Sequence, residues 1–193
     1  MKGTFIVLEG PDGSGTTTHS AMLAEYLKSK GWDVVLTAEP TASPIGKFIR
    51  EQLKAKSIES PSALQLLFCA DRAWHNEHVI KPALDAGRTV ISDRYVISTL
   101  VYGEALGLDP DWLLSVNTPF LEPDHILFAM PPFEECMKRI GQRTQLDVFE
   151  NTSFQRKVYD LYAKTAEEDD VHIIDTTGDK EDVAQSIIKA IGL

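Results

Sequence analysis

A glycine-rich loop near the N-terminus separates a strand-like segment from a helix-like one. The loop, Gly10-Pro11-Asp12-Gly13-Ser14-Gly15, follows the apolar run Phe5–Leu8 and precedes a segment with apolar residues at helical spacing. Glycines here can take positive φ and let backbone N–H groups converge on an anion at the positive end of a helix dipole. The order strand, glycine loop, helix predicts a phosphate-binding loop, and the alternative is a turn that starts a helix without binding a ligand.

The loop matches the pattern G-x-x-x-x-G-K-[ST] except at one position. Gly10 and Gly15 fit, and Thr17 supplies the hydroxyl that faces magnesium, but Thr16 occupies the lysine position. A lysine there would place a cation on the β- and γ-phosphates, and a hydroxyl cannot replace that charge. The predicted ATP-binding residues are Gly10, Pro11, Asp12, Gly13, Ser14, Gly15, Thr16, Thr17 and Thr18.

Composition limits the possible partners and the cellular setting. The chain has 193 residues, 43% of them hydrophobic, which indicates one folded domain over 1–193. Its net charge of -10 argues against binding nucleic acid polymers. Cys69 and Cys136 lie far apart without metal-type spacing, which is typical of a reducing compartment. We expect a cytoplasmic protein with no membrane partner, because no signal peptide or spanning segment is evident.

Strand-like and helical patterns alternate along the chain. The predicted strands lie at 5–9, 33–37, 88–93, 123–130 and 171–175. The helices between them include a long one over 60–87, kinked at Pro82, and others over 44–53, 133–143 and 153–166. This alternation predicts an α/β fold, a doubly wound five-stranded parallel sheet with helices on both faces.

Several polar residues follow strand ends or share helix faces. Asp93 ends the third strand, where nucleoside triphosphatases keep the carboxylate that orders magnesium, although Asp93 and Arg94 could equally form an ion pair at a helix start. Arg94, Ser98 and Tyr102 share one face of the next helix. These positions converge on one predicted cleft.

Two further helix faces have both a functional and a structural interpretation. Phe68 and Arg72 lie at i and i+4, and they could form a binding pocket or a core residue and an ion pair. Arg139 and Arg143 are also at i and i+4, which suits a phosphate clamp but is tolerated on a solvated face. The spacing leaves both alternatives open.

Taken in order, these motifs resemble those of the thymidylate kinase family, and the resemblance covers nearly the whole chain. The motifs are 8–15, then 39–41 with 44–46, then 67–72, then 93–96 with Tyr102, and finally 138–150. The resemblance implies a nucleoside monophosphate kinase that moves the γ-phosphoryl group of ATP to dTMP with Mg²⁺.

The family pattern also implies roles for individual residues. Phe68 would stack on thymine, Arg72 would bond its edge, and Arg94 would hold the dTMP phosphate. Asp12 would lie near the acceptor phosphate and sugar, Tyr102 near the 2′ position, and the segment 139–150 would form a lid over ATP. The implied dTMP contacts are Asp12, Glu39, Pro40, Phe68, Arg72, Arg94, Ser98, Thr99 and Tyr102, the magnesium residues are Thr17 and Asp93, and the catalytic residues are Asp12, Arg94, Arg139 and Arg143.

The sequence departs from the family pattern at its cations. Thr16 replaces the loop lysine, Ala38 stands where many relatives have arginine, and Val148 stands where bacterial relatives often place a lid arginine. The loop also lacks the arginine of the eukaryotic type. We hypothesise that Arg139 and Arg143 supply the missing charge when the lid closes.

Two other functions remain as alternatives at this point. One is a deoxynucleoside kinase on the same fold, which the Glu39-Pro40 loop and Arg94 disfavour because they suit an acceptor that already carries phosphate. The other is a nucleotide-binding protein with little kinase activity, which the lost cations suggest. The resemblance further implies a homodimer whose ligands are the nucleotides ATP and dTMP.

Overall fold

The computed structural model describes residues 3–54, 58–142, 149, 151–168 and 171–192. The strands are β1 (Phe5–Glu9), β2 (Val34–Ala38), β3 (Thr89–Asp93), β4 (His125–Ala129) and β5 (His172–Ile174). The helices are α1 (Thr16–Ser29), α2 (Pro44–Leu53), α3 (Pro61–His75), α4 (Lys81–Asp85), α5 (Val96–Ala105), α6 (Pro110–Asn117), α7 (Phe133–Ile140), α8 (Thr152–Glu168) and α9 (Lys180–Ala190).

The strands form one parallel sheet in the order β2-β3-β1-β4-β5. The chain's first strand lies at the centre, with Val7 beside Ser92 of β3 and Ile126 of β4. The predicted α/β fold with a five-stranded parallel sheet and helices around it is confirmed. Parallel strands put all their carboxyl ends at one edge, so the loops after β1, β2 and β3 meet there.

Helices cover both faces of the sheet because the strands are apolar on both sides. Ile6 and Leu8 of β1 pack with residues of α1 and α9, whereas Phe5 and Val7 point to the opposite face and pack with residues of α4. All four side chains are buried. A strand buried on both faces holds its end rigidly, and the end of β1 carries the glycine-rich loop.

The long predicted helix is interrupted earlier than we expected. Instead of a kink at Pro82, a π-helical turn spans Asn76–Ile80, between α3 and α4. Lys81 N–H bonds to the carbonyl of Asn76, five residues back. Proline has no N–H and its ring crowds the preceding turn, and a π turn is one way to accommodate it without breaking the helix.

Helix α7 is shorter than the predicted 133–143. It ends at Ile140, and Gly141 N–H bonds to the carbonyl of Met137 as the last turn closes. Arg143 and most of the predicted lid, 139–150, lie outside the described residues. The shared helical face that we predicted for Arg139 and Arg143 is therefore not part of α7.

Within the described ranges, no helix combines the length and the apolar character needed to cross a membrane.

Candidate active site

A cavity of ≈ 630 Å³ opens at the carboxyl ends of β1, β2 and β3. It brings together residues that are distant in sequence. The predicted site residues that line it are Asp12, Gly13, Gly15, Thr16, Thr17, Thr18, Glu39, Pro40, Phe68, Arg72, Asp93, Arg94, Ser98, Thr99, Tyr102 and Arg139. Gly10, Pro11 and Ser14 are buried and are not part of this lining.

The glycine-rich loop has a conformation that other residues would not adopt easily. Gly13 and Gly15 have φ of 78° and 97°, in the left-handed region that favours glycine. A Cβ at Gly13 would collide with the backbone carbonyl of Cys136 in α7. Gly15 is the N-cap of α1, so the loop ends at the positive pole of a helix of 14 residues. This is the geometry of an anion site.

Thr17 and Asp93, which the family resemblance implied as magnesium residues, meet at the edge of the loop. Thr17 Oγ1 donates a hydrogen bond of 2.5 Å to Asp93 Oδ2. The other carboxylate oxygen, Oδ1, is buried and has no hydrogen-bond partner in the described part of the chain. Carboxylate and hydroxyl oxygens are the ligands that Mg²⁺ prefers, so this pair fits a magnesium ion.

Arg94 lies between the loop and α5. Its Nη2 donates to Asp12 Oδ1 at 2.7 Å, and its Nη1 donates to the carbonyl of Gly10 at 2.6 Å and to Ser98 Oγ at 3.1 Å. Its φ of 69° is in the left-handed region, which is uncommon for arginine and is often found at functional sites. Burial lowers the pKa of Arg94, but the neighbouring tyrosine and carboxylate groups raise it well above its ordinary value. The guanidinium is a fixed cation beside the loop.

A buried carboxylate behind Arg94 joins β1 to α5 and α8. Glu9 accepts hydrogen bonds from Tyr95 N–H, from the backbone and side chain of Ser98, and from Tyr162 OH. Burial raises the pKa of Glu9. These bonds fix the start of α5 relative to the loop, so Glu9 positions Arg94 and Ser98 without lining the cavity.

The loop after β2 is fixed by one buried aspartate of α3. Asp71 accepts hydrogen bonds from Thr41 N–H, Thr41 Oγ1 and Ser43 Oγ at 2.6 to 2.7 Å. Ser43 in turn caps α2 by accepting from Gly46 N–H. The preceding peptide bond, Glu39–Pro40, is cis. This network holds Glu39 and Pro40 at the cavity wall.

Arg72 is completely buried at the other end of the cavity. Its Nη2 lies 2.7 Å from Glu39 Oε2 and 2.7 Å from Thr99 Oγ1, and its Nη1 donates to Asn117 Oδ1 of α6. The guanidinium also lies over the ring of Tyr95, 5.0 Å from its centroid. Its Nε has no partner within the described ranges, although it is buried. The predicted ion pair therefore exists, and the side chain still has a donor left.

His75 supports the same network from α3. Its Nδ1 lies 2.9 Å from Glu39 Oε1, and its Nε2 lies 2.7 Å from Thr37 Oγ1. Both Glu39 and His75 are buried. Glu39 thus bridges two side chains that project from successive turns of α3, and its orientation is fixed on both sides.

Arg139 contacts the outer side of the glycine-rich loop. Its Nη1 lies 3.3 Å from the carbonyl oxygens of Gly13 and Ser14, its Nη2 donates to the carbonyl of Thr176 at 2.8 Å, and its Nε donates to Glu135 at 3.0 Å. A cation therefore lies against the loop that lacks its lysine. Arg143, the other proposed source of charge, lies outside the described residues.

Some residues of the site and its surroundings were not among the site residues predicted from the sequence. Gln155 of α8 donates to Asp12 Oδ2 at 2.9 Å, and Gln65 of α3 lines the cavity. Glu9 accepts a hydrogen bond from Ser98, and Asn117 accepts one from Arg72. Only Gln65 had a usable pattern, because it shares a face of α3 with Phe68 and Arg72 at i, i+3 and i+7.

Among the described side chains, no group of three or more His, Cys, Asp and Glu residues is arranged to hold a metal ion. Such a group is the usual mark of a metal site built by protein ligands alone. A magnesium ion at Thr17 and Asp93 would complete its coordination with phosphate oxygens and water, which is how this ion is commonly held in kinases.

Comparison with known proteins gives a consistent result. The thymidylate kinase family model matches residues 8–187. The chain is 41% identical to a protein of Pyrococcus horikoshii named "Probable thymidylate kinase", over 99% of this chain and 97% of that protein. It is 43% identical to the protein of the same name from Thermococcus kodakarensis, over 97% and 96% of the two chains. It is 34% identical to the "Thymidylate kinase" of Brachyspira hyodysenteriae, over 99% and 94%.

Proposed function

Because the chain belongs to the thymidylate kinase family, we propose that it transfers the γ-phosphoryl group of ATP to dTMP, giving dTDP and ADP. One observation carries the proposal for this chain: the glycine-rich loop and the pocket of Phe68 and Arg72 line the same cavity. A phosphate donor held by the loop and a nucleotide held by the pocket would face each other across it. The family match favours neither a deoxynucleoside kinase nor a non-catalytic binding protein.

In the acceptor half of the site, Phe68 stacks on the thymine ring and Arg72 donates to its edge. The free Nε of Arg72 supports this role, because a buried donor without a partner is costly and a ligand can satisfy it. Glu39, Pro40, Ser98 and Thr99 form the surrounding wall. Arg94 binds the dTMP phosphate, and Asp12, to which Arg94 is paired at 2.7 Å, lies near the phosphate and the sugar.

Tyr102 supports a preference for deoxyribonucleotides in this proposal. Its side chain is buried in the cavity wall and its ring lies under Arg94, 5.6 Å from the guanidinium carbon. Burial raises the pKa of Tyr102 well above its ordinary value, so the ring is neutral at every physiological pH. A bulky, neutral ring at this place leaves little room for a 2′-hydroxyl.

In the donor half, residues 10–18 bind the phosphates of ATP through backbone N–H groups and the dipole of α1. Thr17 and Asp93 would hold Mg²⁺, which would neutralise charge on the donor phosphates. The transferred group then needs only in-line alignment and nearby cations, because phosphoryl transfer depends mainly on positioning and electrostatic stabilisation. Arg94 supplies one such cation from the acceptor side.

The missing lysine is compensated, in this proposal, by Arg139 and Arg143. Arg139 already lies against the loop carbonyls and brings a positive charge to the loop's outer side. Arg143 lies in the segment 139–150, which we propose as a lid that closes over ATP. We further propose that the protein acts as a single domain, as a homodimer and in the cytoplasm.

A coupled assay for ADP formation tests the proposal. The protein is supplied with Mg-ATP and, in separate reactions, dTMP, dUMP, thymidine or buffer alone. We expect turnover with dTMP well above that with thymidine and above the hydrolysis in buffer. Calorimetric binding of ATP and dTMP without turnover would overturn the proposal and support the non-catalytic alternative, whereas faster turnover with thymidine would support a deoxynucleoside kinase.

A further inference from the structure

One buried side chain of the cavity wall has polar atoms without partners. Gln65 of α3 is 0% exposed, and neither its Nε2 nor its Oε1 has a hydrogen-bond partner in the part of the chain that the structure describes. Its side chain nevertheless lines the cavity. A carboxamide can donate two hydrogen bonds and accept two, so its entire hydrogen-bonding capacity is unused.

Such a group is costly in a protein interior unless something satisfies it. Buried polar groups are nearly always hydrogen-bonded, and an unpartnered one gives up the full benefit of hydration. Arg72, by contrast, lies two turns further along α3 and has protein partners: it is hydrogen-bonded to Glu39, Thr99 and Asn117. The position of Gln65 at the cavity wall suggests that its partner is a ligand.

The placement of Gln65 on α3 indicates which part of the ligand it meets. The only described residues by which α3 lines the cavity are Gln65, Phe68 and Arg72, at i, i+3 and i+7 on one helix face. Phe68 lies between the other two along the helix. If Phe68 stacks on the base and Arg72 bonds its edge, Gln65 lies on the side of Phe68 opposite Arg72.

We infer that Gln65 hydrogen-bonds the edge of the pyrimidine base of the acceptor nucleotide and thereby adds affinity for that base; this inference rests on the proposed function. A carboxamide presents an adjacent donor and acceptor, which match a keto oxygen and the neighbouring ring N–H of thymine. Arg72 can only donate, so it favours a keto group over an amino group at the base edge. Gln65 therefore contributes affinity for the base, whereas Arg72 selects a base with a keto group over one with an amino group.

The variant Gln65→Leu separates this role from a structural one. We expect the KM for dTMP to rise about tenfold while the KM for ATP stays unchanged, because one neutral hydrogen-bonding group is lost from the base. In the same variant the ligand-free protein should have an unchanged or higher Tm, because an unpartnered polar group is replaced by an apolar one of similar size. A structural glutamine would give the opposite change in Tm.

Two further variants complete the test. Gln52→Leu makes the same chemical change at an exposed position of α2 and should leave both KM values unchanged. Gln65→Asn keeps the amide but shortens its reach by one methylene, so it should also raise the KM for dTMP. This second variant provides the answer if Gln65→Leu does not fold.

A substrate analogue locates the contact on the base. If Gln65 bonds the base edge at the ring N–H, Gln65→Leu should lose less with N3-methyl-dTMP than with dTMP, because the analogue has already lost part of the bond. An unchanged KM for dTMP in both Gln65 variants, or equal losses with the two substrates, would overturn the inference. Absence of turnover by the unaltered protein would instead refute the proposed function, and calorimetric dTMP binding would then still test Gln65.

Discussion

Replacing Arg139 by alanine tests whether the cation on the outer side of the loop compensates for Thr16. Two of its contacts reach the loop, both at 3.3 Å, and its side chain is 30% exposed. Such long and partly hydrated bonds lie at the lower end of charge-assisted values, so we assign the two together about 1.5–3 kcal/mol. At about 1.4 kcal/mol per factor of ten, Arg139→Ala should lower kcat/KM for ATP roughly ten- to hundredfold.

The assay is steady-state ADP formation with saturating dTMP and varied Mg-ATP. Lys138→Ala is the matched control, because Lys138 directly precedes Arg139 on α7, is largely exposed and pairs with the same Glu135. We expect it to stay within about twofold of the unaltered protein, as is usual for exposed ion pairs. Equal losses in the two variants would show that general charge near α7 matters rather than the contact with the loop.

A second substitution asks whether a lysine in the loop can take over. Thr16 is the first residue of α1 and lines the cavity, so Thr16→Lys should restore much of the activity lost in Arg139→Ala and add little to the unaltered protein. We also expect Arg143→Ala to cost more than Thr16→Lys gains. The reasoning is refuted if Arg139→Ala and Arg143→Ala both turn over at the normal rate.

Three further predictions concern the buried network, the magnesium pair and pH. Glu39→Gln should lower the free energy of unfolding by about 3 kcal/mol and Tm by about 6–12 °C, because Arg72 is left buried without its counter-charge. Thermal unfolding measures this change, and an unchanged Tm would contradict the prediction. Asp93→Asn should raise the Mg²⁺ concentration for half-maximal rate about ten- to hundredfold, measured by magnesium titration, with Thr17→Ser as a control that keeps the hydroxyl. Burial, and then nearby cations, lower the pKa of His19, so below about pH 6.5 the unfolded chain binds more protons than the folded one. The free energy of unfolding should therefore fall as pH falls through that value. Urea unfolding of His19→Gln should show a free energy of unfolding that depends less on pH.

Features could be predicted from the sequence where their residues are close together along the chain or lie at the same edge of the sheet. The strand, loop and helix of the phosphate site are contiguous, so their types and order could be predicted. The family resemblance implied that Thr17 and Asp93 act together, and the sheet brings them into contact because the carboxyl ends of its parallel strands meet. Element bounds followed from periodicity, and the strands agree with prediction closely, apart from β4, which starts two residues later than we expected.

Features that depend on long-range packing could not be predicted. The hydrogen bond between Gln155 and Asp12 joins residues 143 positions apart, and glutamine on an amphipathic helix has no functional pattern of its own. The π turn before Pro82 was missed because a missing N–H can be accommodated by a kink or by a π turn, and packing decides between them. The early end of α7 has a local cause instead: the last turn closes at Gly141, and the helical spacing of Arg139 and Arg143 did not mark that end.

The defect at Thr16 shows why a motif has to be judged in its fold. Considered alone, the loss of the lysine suggested a protein that binds nucleotides without reacting them. The described contacts change that argument, because Arg139 approaches the same loop from a helix 126 residues away from Gly13 in sequence. An electrostatic requirement fixes where a positive charge must lie, not which residue carries it, so the absence of the lysine is not by itself evidence against catalysis.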